Sequence, residues 1–220
     1  MKISDMYEFD PLTDNQKKAR DAWNNNSNLV LSGAAGTGKT YLGMYFALEQ
    51  VLARNNKINK LIIVRSIVPT REIGYLPGTK EEKEAPYTLP YADICNEITD
   101  MRDAYSKLVL QGKAEFLSTS FIRGTTFDNC VVLVDEMQNL NFHELDSVIT
   151  RVGENCKLVF CGDYYQSDFE KDRDKNGLIQ FLNILDQLTS FETIEFTWKD
   201  IVRSDLVREY IMTKEIMKIN

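Results

Sequence analysis

The sequence predicts a three-layer α/β fold with a mainly parallel sheet. Short runs rich in Val, Ile and Leu alternate along the chain with segments whose apolar residues recur at helical spacing. The runs are continuously apolar, as strands must be when helices cover both faces of a sheet. A glycine-rich loop, Gly33 to Thr40, joins one such run to the helical segment after it. These three observations together favour a doubly covered parallel sheet.

The same patterns predict the individual elements. The predicted strands are Asn28 to Ser32, Lys60 to Val64, Glu115 to Ser118, Cys130 to Val134, Lys157 to Cys161 and Thr193 to Phe196. The predicted helices are residues 13–24, the segment after the glycine-rich loop, Tyr91 to Leu110, Asn141 to Arg151, Leu178 to Leu188 and Leu206 to Met217. Four prolines predict a long functional loop from Ile67 to Pro90. With 220 residues, 43% of them apolar, we expect one domain spanning residues 1–220.

The glycine-rich loop matches the G-x-x-x-x-G-K-[ST] pattern in full, between a strand and a helix. Its glycines let backbone N–H groups turn inward toward phosphates, at the positive end of the following helix. Lys39 would reach the β- and γ-phosphates, and the Thr40 hydroxyl would bind Mg²⁺. The predicted nucleotide-binding residues are Gly33, Ala34, Ala35, Gly36, Thr37, Gly38, Lys39 and Thr40.

Two adjacent carboxylates end the apolar run Cys130 to Val134, and they predict the rest of the catalytic site. Asp135 would hold Mg²⁺, and Glu136 would orient and deprotonate an attacking water. A base that activates water favours hydrolysis over phosphoryl transfer to a substrate. If the strand Lys157 to Cys161 lies between the two motif strands, Gln166 would sense the γ-phosphate.

Gln16 has two interpretations. The pattern Thr13-x-x-Gln16 is typical of a capping box at a helix start. Alternatively, the Gln16 amide would bind the edge of an adenine base. Both interpretations use the same side chain, and the sequence leaves them open.

Composition excludes several classes of function. A net charge of −7 argues against a surface that binds nucleic acid everywhere, although the stretch from Arg54 to Arg71 holds five basic residues and no acid. A single histidine, His143, and four cysteines at no zinc spacing argue against a zinc site and against Ser-His-Asp or Cys-His hydrolysis, and the cysteines are expected to be buried thiols. Without a long apolar run or a signal peptide, a cytoplasmic protein that enters no membrane is expected.

These motifs resemble those of the PhoH-like ATPases, a single-core, RecA-like P-loop NTPase family related to superfamily 1 helicases, and particularly the compact phage-encoded type. The resemblance spans about residues 12 to 212. It rests on these segments: Val64 to Ser66, Ile73 to Gly78, Glu82-Lys83, Ala85 to Tyr87, Ile122 to Gly124, Asp135 to Asn139, Gly162 to Gln166 and Asp200 to Ser204. The chain departs from bacterial members at Thr125 and Met137, so no nucleic-acid contact is carried over to Thr125.

The resemblance implies ATPase activity and, in some members, RNA unwinding. Because the chain has one core, it also implies that Arg203 of a neighbouring copy completes the site, in a homo-oligomer expected to be a ring of six; the alternative is a surface ion pair of Arg203 with Asp200 or Asp205. Arg65, Arg71 and Arg123 are the candidate contacts to single-stranded RNA or DNA.

The sequence therefore predicts an ATPase that uses ATP and Mg²⁺ and couples hydrolysis to single-stranded nucleic acid. A nucleotide-gated binding module with slow hydrolysis is the alternative from a different class. A P-loop kinase is a third possibility, which Glu136 disfavours.

Overall fold

A computed structural model describes residues 1–67, 80–122, 124–163 and 172–217. The strands are β1 (Asn28–Gly33), β2 (Lys60–Arg65), β3 (Ala114–Ser118), β4 (Cys130–Val134), β5 (Lys157–Gly162) and β6 (Phe191–Phe196). The α-helices in the described residues are α1 (Asp14–Asn24), α2 (Lys39–Leu52), α3 (Lys80–Thr99), α4 (Ala104–Leu110), α5 (Phe142–Ile149), α6 (Asp172–Leu185) and α7 (Asp205–Ile216).

The six strands form one sheet in the order β3-β2-β4-β5-β1-β6, and every neighbouring pair is parallel. The predicted fold class is therefore confirmed. Strand β5 lies between β4 and β1, as the interpretation of Gln166 required. Since all strands run the same way, the residues that follow β1, β4 and β5 meet at one edge of the sheet. We call this edge, formed by Gly33–Thr40, Asp135–Gln138 and Gly162–Asp163, the carboxyl edge.

Helices cover both faces of the sheet, which explains the continuously apolar strands. Within β4, Val131 and Leu133 belong to a core cluster shared with helices α1 to α4, whereas Val132 and Val134 belong to a second cluster shared with α5 and α6. Both clusters are buried, so neither face of β4 tolerates a polar residue.

The predicted loop from Ile67 to Pro90 is wrong in its second half, because α3 already begins at Lys80. Pro86 and Pro90 lie inside this helix, and each lacks the N–H group that a helix interior uses. Their spacing of four aligns the missing donor of Pro90 with the carbonyl of Pro86, so one lost hydrogen bond involves both residues. Burial of the helix's later turns in the core offsets that loss. Residues 68–79 lie outside the described part.

The predicted helix from Tyr91 to Leu110 is interrupted. Helix α3 ends at Thr99, where Asp100 takes a left-handed conformation with φ of 51°, and α4 starts at Ala104. A left-handed residue cannot continue a right-handed helix, and the turn lets α4 fold back against α3. Helix α4 therefore packs against α3 instead of extending it.

The cysteines are free thiols, as expected, but they are not all buried. Cys95, Cys130 and Cys161 are buried, and burial raises the pKa of Cys95 to about 12, which keeps that thiol protonated. Cys156 is half-buried, and its sulfur lies 3.6 Å from that of Cys130. Among the described helices, none combines the length and apolar character needed to cross a bilayer.

Candidate active site

The loop from Gly33 to Thr40 leaves β1 at the carboxyl edge and ends as α2 begins. Gly33 has φ of 112°, and a Cβ there would lie 1.9 Å from the Phe196 carbonyl oxygen, so only glycine fits. Gly38, with φ of 84°, occupies the N-cap position of α2. The end of β6 and the segment after it support the loop through hydrogen bonds from Ala34 N to Phe196 O, 3.0 Å, and from Val202 N to Gly36 O, 3.1 Å. The predicted strand, loop and helix arrangement is confirmed.

Lys39 points back into this loop. Its Nζ donates to the carbonyl oxygens of Gly33 and Ala34, each at 2.7 Å, and lies 3.4 Å from Thr37 Oγ1. Burial lowers the pKa of Lys39 from its ordinary value, while nearby acidic groups, Asp163 foremost, act in the opposite direction. A phosphate placed in the loop would add negative charge and favour the ammonium form.

Thr40 and Asp135 meet across the site. The Thr40 hydroxyl donates to Asp135 Oδ1 at 2.8 Å, and the Tyr91 hydroxyl donates to Oδ2 at 2.9 Å. Burial raises the pKa of the Asp135 carboxyl, and the adjacent Glu136 charge adds to this rise. The two hydrogen bonds and the positive charge of Arg65 act against it.

The pair fits a magnesium ion by donor chemistry. A hydroxyl and a carboxylate are the hard oxygen donors that Mg²⁺ prefers, and Mg²⁺ beside a nucleotide uses only one or two protein ligands. The described residues contain no cluster of three or more His, Cys, Asp or Glu ligands. Thr40 and Asp135 are therefore the residues that would hold Mg²⁺ together with phosphate oxygens.

Glu136 is positioned by its own backbone and by Gln138. Its φ of 52° lies in the left-handed region, which is uncommon for a residue with a side chain. Gln138 Nε2 donates to Glu136 Oε2, and Gln138 Oε1 accepts from the backbone N–H of Asp163 at 3.0 Å. A Cβ at Gly162 would lie 2.3 Å from Gln138 Oε1. Gln138 therefore ties the end of β4 to the end of β5.

Gln16 lies beside the loop rather than in a capping box. Thr13 caps α1 by accepting from Gln16 N at 3.3 Å, as the pattern indicated. The Gln16 side chain does not return to Thr13. It accepts from Leu12 N at 2.9 Å and donates to Thr37 O at 3.4 Å. This contact connects α1 to the phosphate-binding loop, and adenine binding by Gln16 stays a prediction.

These groups line one cleft of about 680 Å³, a size typical of small-ligand sites. The residues that line the cleft include apolar and polar side chains together with residues 35–40 of the loop: Phe9, Leu12, Gln16, Glu136, Asp163 and Arg203. Phosphates would lie beside the loop.

Arg203 contacts the loop of its own chain. Its Cγ is 3.1 Å from the position that a Cβ on Gly36 would occupy. In the described part of the chain, no ion pair within 4.0 Å joins Arg203 to Asp200 or Asp205, and the Asp200 carboxylate instead accepts from Asn15 and Thr197. The surface ion-pair interpretation is therefore wrong.

The candidate nucleic-acid residues separate into two groups. Arg65, at the end of β2, is half-buried and interacts with Tyr91, so the structure places it beside Asp135. Arg71 and Arg123 lie outside the described residues, as does Gln166, and their assignments stay predictions.

Comparison with known proteins decides the family. The profile of PhoH-like proteins matches residues 8–215. The chain belongs to the PhoH-like protein family. PhoH-like proteins of Mycobacterium leprae and Bacillus subtilis strain 168 are 33% and 34% identical to it over 202 and 180 residues. Protein PhoH of Escherichia coli strain K12 is 31% identical over 182 residues.

The alignment with the Mycobacterium leprae protein covers 91% of this chain and 57% of that relative. The alignment with the Bacillus subtilis protein covers 81% and 55%, and the alignment with the Escherichia coli protein covers 81% and 50%. The chain thus spans about half the length of these bacterial relatives. Similar solved structures include Bacteroides Pif1 bound to ssDNA, 15% identical with a TM-score of 0.44, covering 94% of this chain and 46% of that one. Pif1 helicase from Candida albicans is 17% identical with a TM-score of 0.37, covering 86% and 41%.

The family and the complete phosphate-binding loop identify a P-loop nucleotide-binding motif in this PhoH-like chain. Sequence reasoning assigned no role to Tyr91 or Gln138. Gln138 lies two residues beyond Glu136, within the segment that carried the family resemblance, so a signal existed. Tyr91 lies 44 residues from Asp135 in the chain, and no spacing pattern connects them.

Proposed function

We propose that this chain is a Mg²⁺-dependent ATPase that couples hydrolysis to single-stranded nucleic acid, RNA in particular. One observation carries the ATPase proposal. A phosphate-binding lysine, a hydroxyl and carboxylate pair suited to Mg²⁺, and a second carboxylate held by hydrogen bonding all line the same cleft at the carboxyl edge.

The loop and Lys39 would bind the phosphates. The backbone N–H groups at the start of α2 and the Lys39 ammonium offer positive charge on the same side of the cleft. When bound, Mg²⁺ would neutralise charge on the phosphate oxygens beside Thr40 and Asp135. Phe9 and Leu12 also line this cleft, and their apolar surfaces are suited to a base.

Glu136 would act on the attacking water. Its carboxylate is held by Gln138, which in turn is fixed by the Asp163 N–H, so the base would be oriented before substrate binds. This arrangement supports hydrolysis over transfer to a second substrate, because a carboxylate held beside the phosphate site would take the proton of an attacking water.

We propose a cis role for Arg203. Its stem packs at Gly36 of the same chain, which supports stabilisation of the γ-phosphate charge by the chain's own arginine. The role in trans, and the ring of six, remain predictions. If Arg203 acts within its own chain, the site is complete without a neighbouring copy. Hydrolysis then does not depend on oligomer formation.

The coupling to nucleic acid rests on the family and on local charge. Arg54, Lys57 and Lys60 lie on the sequence stretch without acids, although Lys60 is paired with Glu115. Because Arg65 faces Asp135, a nucleic-acid contact by the neighbouring segment would lie close to the catalytic groups. This proximity supports an ATPase whose rate responds to nucleic acid.

The decisive experiment measures ATP turnover with and without single-stranded RNA or DNA. Stimulation by RNA, retained in Mg²⁺ and abolished by EDTA, supports the whole proposal. Turnover that neither nucleic acid changes would support the ATPase and reject the coupling. ATP binding without measurable turnover would favour a nucleotide-gated binding module instead. Glu136→Gln serves as the hydrolysis-deficient control in each arm.

A further inference from the structure

Tyr91 supplies an unexpected contact at the proposed magnesium site. It lies on α3, is 0% exposed, and donates its hydroxyl hydrogen to Asp135 Oδ2 at 2.9 Å. Thr40 donates to the other oxygen, Oδ1, at 2.8 Å. Both oxygens of the Asp135 carboxylate are therefore engaged from opposite elements, α2 on one side and α3 on the other.

The orientation of Tyr91 is itself fixed by packing. Its ring lies 6.1 Å from that of Phe116 on β3, at an interplanar angle of 37°. Arg65 ends β2 next to Val64, whose carbonyl oxygen accepts from Asp135 N at 2.9 Å, so the positive charge of Arg65 lies near both Asp135 and the Tyr91 hydroxyl. A buried ring with a charged partner at its hydroxyl has little freedom to rotate, so the hydroxyl position is set by the fold.

A carboxylate that binds metal through one oxygen needs a partner for the other. An unconstrained carboxylate rotates about its Cβ–Cγ bond, and hydrogen bonds from outside the metal's coordination sphere fix that rotation. Tyr91 can supply such a bond while Thr40 takes part in metal binding. This hydrogen bond also offsets part of the free-energy cost of removing the carboxylate from water.

We propose that Tyr91 is a positioning residue that orients Asp135 toward Mg²⁺, and that Arg65 holds Tyr91 in place. The proposal rests on the proposed ATPase function and deepens its metal site. It also reassigns Arg65, which sequence reasoning gave to nucleic acid, to the support of the catalytic edge. These contacts link α3 and β2 to the carboxylate of Asp135.

The test compares Tyr91→Phe with Tyr105→Phe. Tyr105 is a second buried tyrosine, on α4, outside the cleft described above. Both substitutions remove one hydroxyl and keep the ring. Mn²⁺ binding in the presence of ADP, followed by electron paramagnetic resonance, reports on the metal site without turnover. We expect Tyr91→Phe to weaken Mn²⁺ binding about 10–100-fold, and Tyr105→Phe to leave it unchanged.

Turnover gives a second measurement. The Mg²⁺ concentration for half-maximal hydrolysis should rise by a similar factor in Tyr91→Phe, and saturating Mg²⁺ should recover most of the lost rate. If Tyr91→Phe fails to fold, as judged by circular dichroism, Arg65→Met tests the same chain of contacts and should raise the Mg²⁺ requirement by a smaller factor.

Two outcomes would overturn the role of Tyr91, and a third would overturn the ATPase proposal instead. Unchanged Mn²⁺ affinity in Tyr91→Phe overturns the positioning role, as does equal weakening in both tyrosine variants. A wild-type chain that binds Mn²⁺ with ADP but hydrolyses no ATP overturns the proposed function, while the Mn²⁺ comparison still decides the role of Tyr91.

Discussion

The two edges of the sheet bury polar groups in different ways. At the carboxyl edge, Lys39, Asp135 and Gln138 are held by hydrogen bonds from several elements and face one cleft. At the opposite edge, Lys157 is 6% exposed, lies 3.6 Å from the centre of the Trp23 ring, and donates to the Trp23 carbonyl oxygen at 3.0 Å.

The comparison teaches that burial of a charge does not by itself indicate a site. Lys157 is more enclosed than the half-buried Lys39, yet its ammonium donates to a carbonyl at the end of α1, and it is not among the residues that line the cleft. Lys39 differs because its neighbours include four groups that carry or can carry negative charge. Convergence of polar groups on a cleft distinguishes function from packing.

Arg203→Ala should cause the largest effect. An arginine that neutralises transition-state charge contributes roughly 10³–10⁵-fold to the rate where it has been characterised. The cis proposal predicts that mixing Arg203→Ala with Glu136→Gln protein restores no turnover, because each active site then lacks one of its own residues. Partial recovery after demonstrated subunit exchange would support the arginine in trans and the ring of six.

Glu136→Gln should slow hydrolysis at least about 100-fold while ATP binding persists, which is the scale of a lost general base. Steady-state phosphate release and equilibrium nucleotide binding, measured on the same preparation, separate the two effects. Hydrolysis at the wild-type rate would remove Glu136 from the mechanism.

Gln138→Leu should have a smaller effect of a different kind. It removes the support of Glu136 and the acceptor for the Asp163 N–H, while keeping side-chain size. We expect kcat to fall roughly 10-fold, because the base is less well oriented. The Mg²⁺ requirement should stay unchanged, in contrast to Tyr91→Phe. A raised Mg²⁺ requirement in Gln138→Leu would show that the two halves of the edge are not independent.

Much of the carboxyl edge could be predicted from the sequence because its parts are local. The phosphate-binding loop and the two acids after β4 are contiguous motifs, and parallel strands bring them together. Tyr91 could not be predicted, because its contact depends on the path of α3 through a stretch whose prolines indicated a loop. Arg203 lies against the loop of its own chain because the Val202 N–H donates to the Gly36 carbonyl oxygen. No local sequence pattern encodes this hydrogen bond.

Lys157→Met should leave turnover unchanged and alter only the pH dependence of stability. Burial lowers the pKa of Lys157 to about 8 from 10.5, so between these values the folded chain binds fewer protons than the unfolded chain. The free energy of unfolding of the wild type, relative to Lys157→Met, should therefore rise by about 1–3 kcal/mol from pH 8 to 10.5. The Trp23 contacts favour the ammonium form and keep the rise below the full shift. Chemical denaturation at several pH values measures it, and a fall with pH would contradict the assignment.

The most direct test of the central claim uses Lys39 and Lys157 as a matched pair. Equilibrium binding of ATP with Mg²⁺ should weaken roughly 10–100-fold in Lys39→Met, since charge-assisted hydrogen bonds to phosphate are lost, and should not change in Lys157→Met. Both substitutions remove one positive charge and keep an unbranched side chain. Equal affinity in wild type and Lys39→Met, or an equal loss in both variants, would contradict the claim that the carboxyl edge is the ATP site.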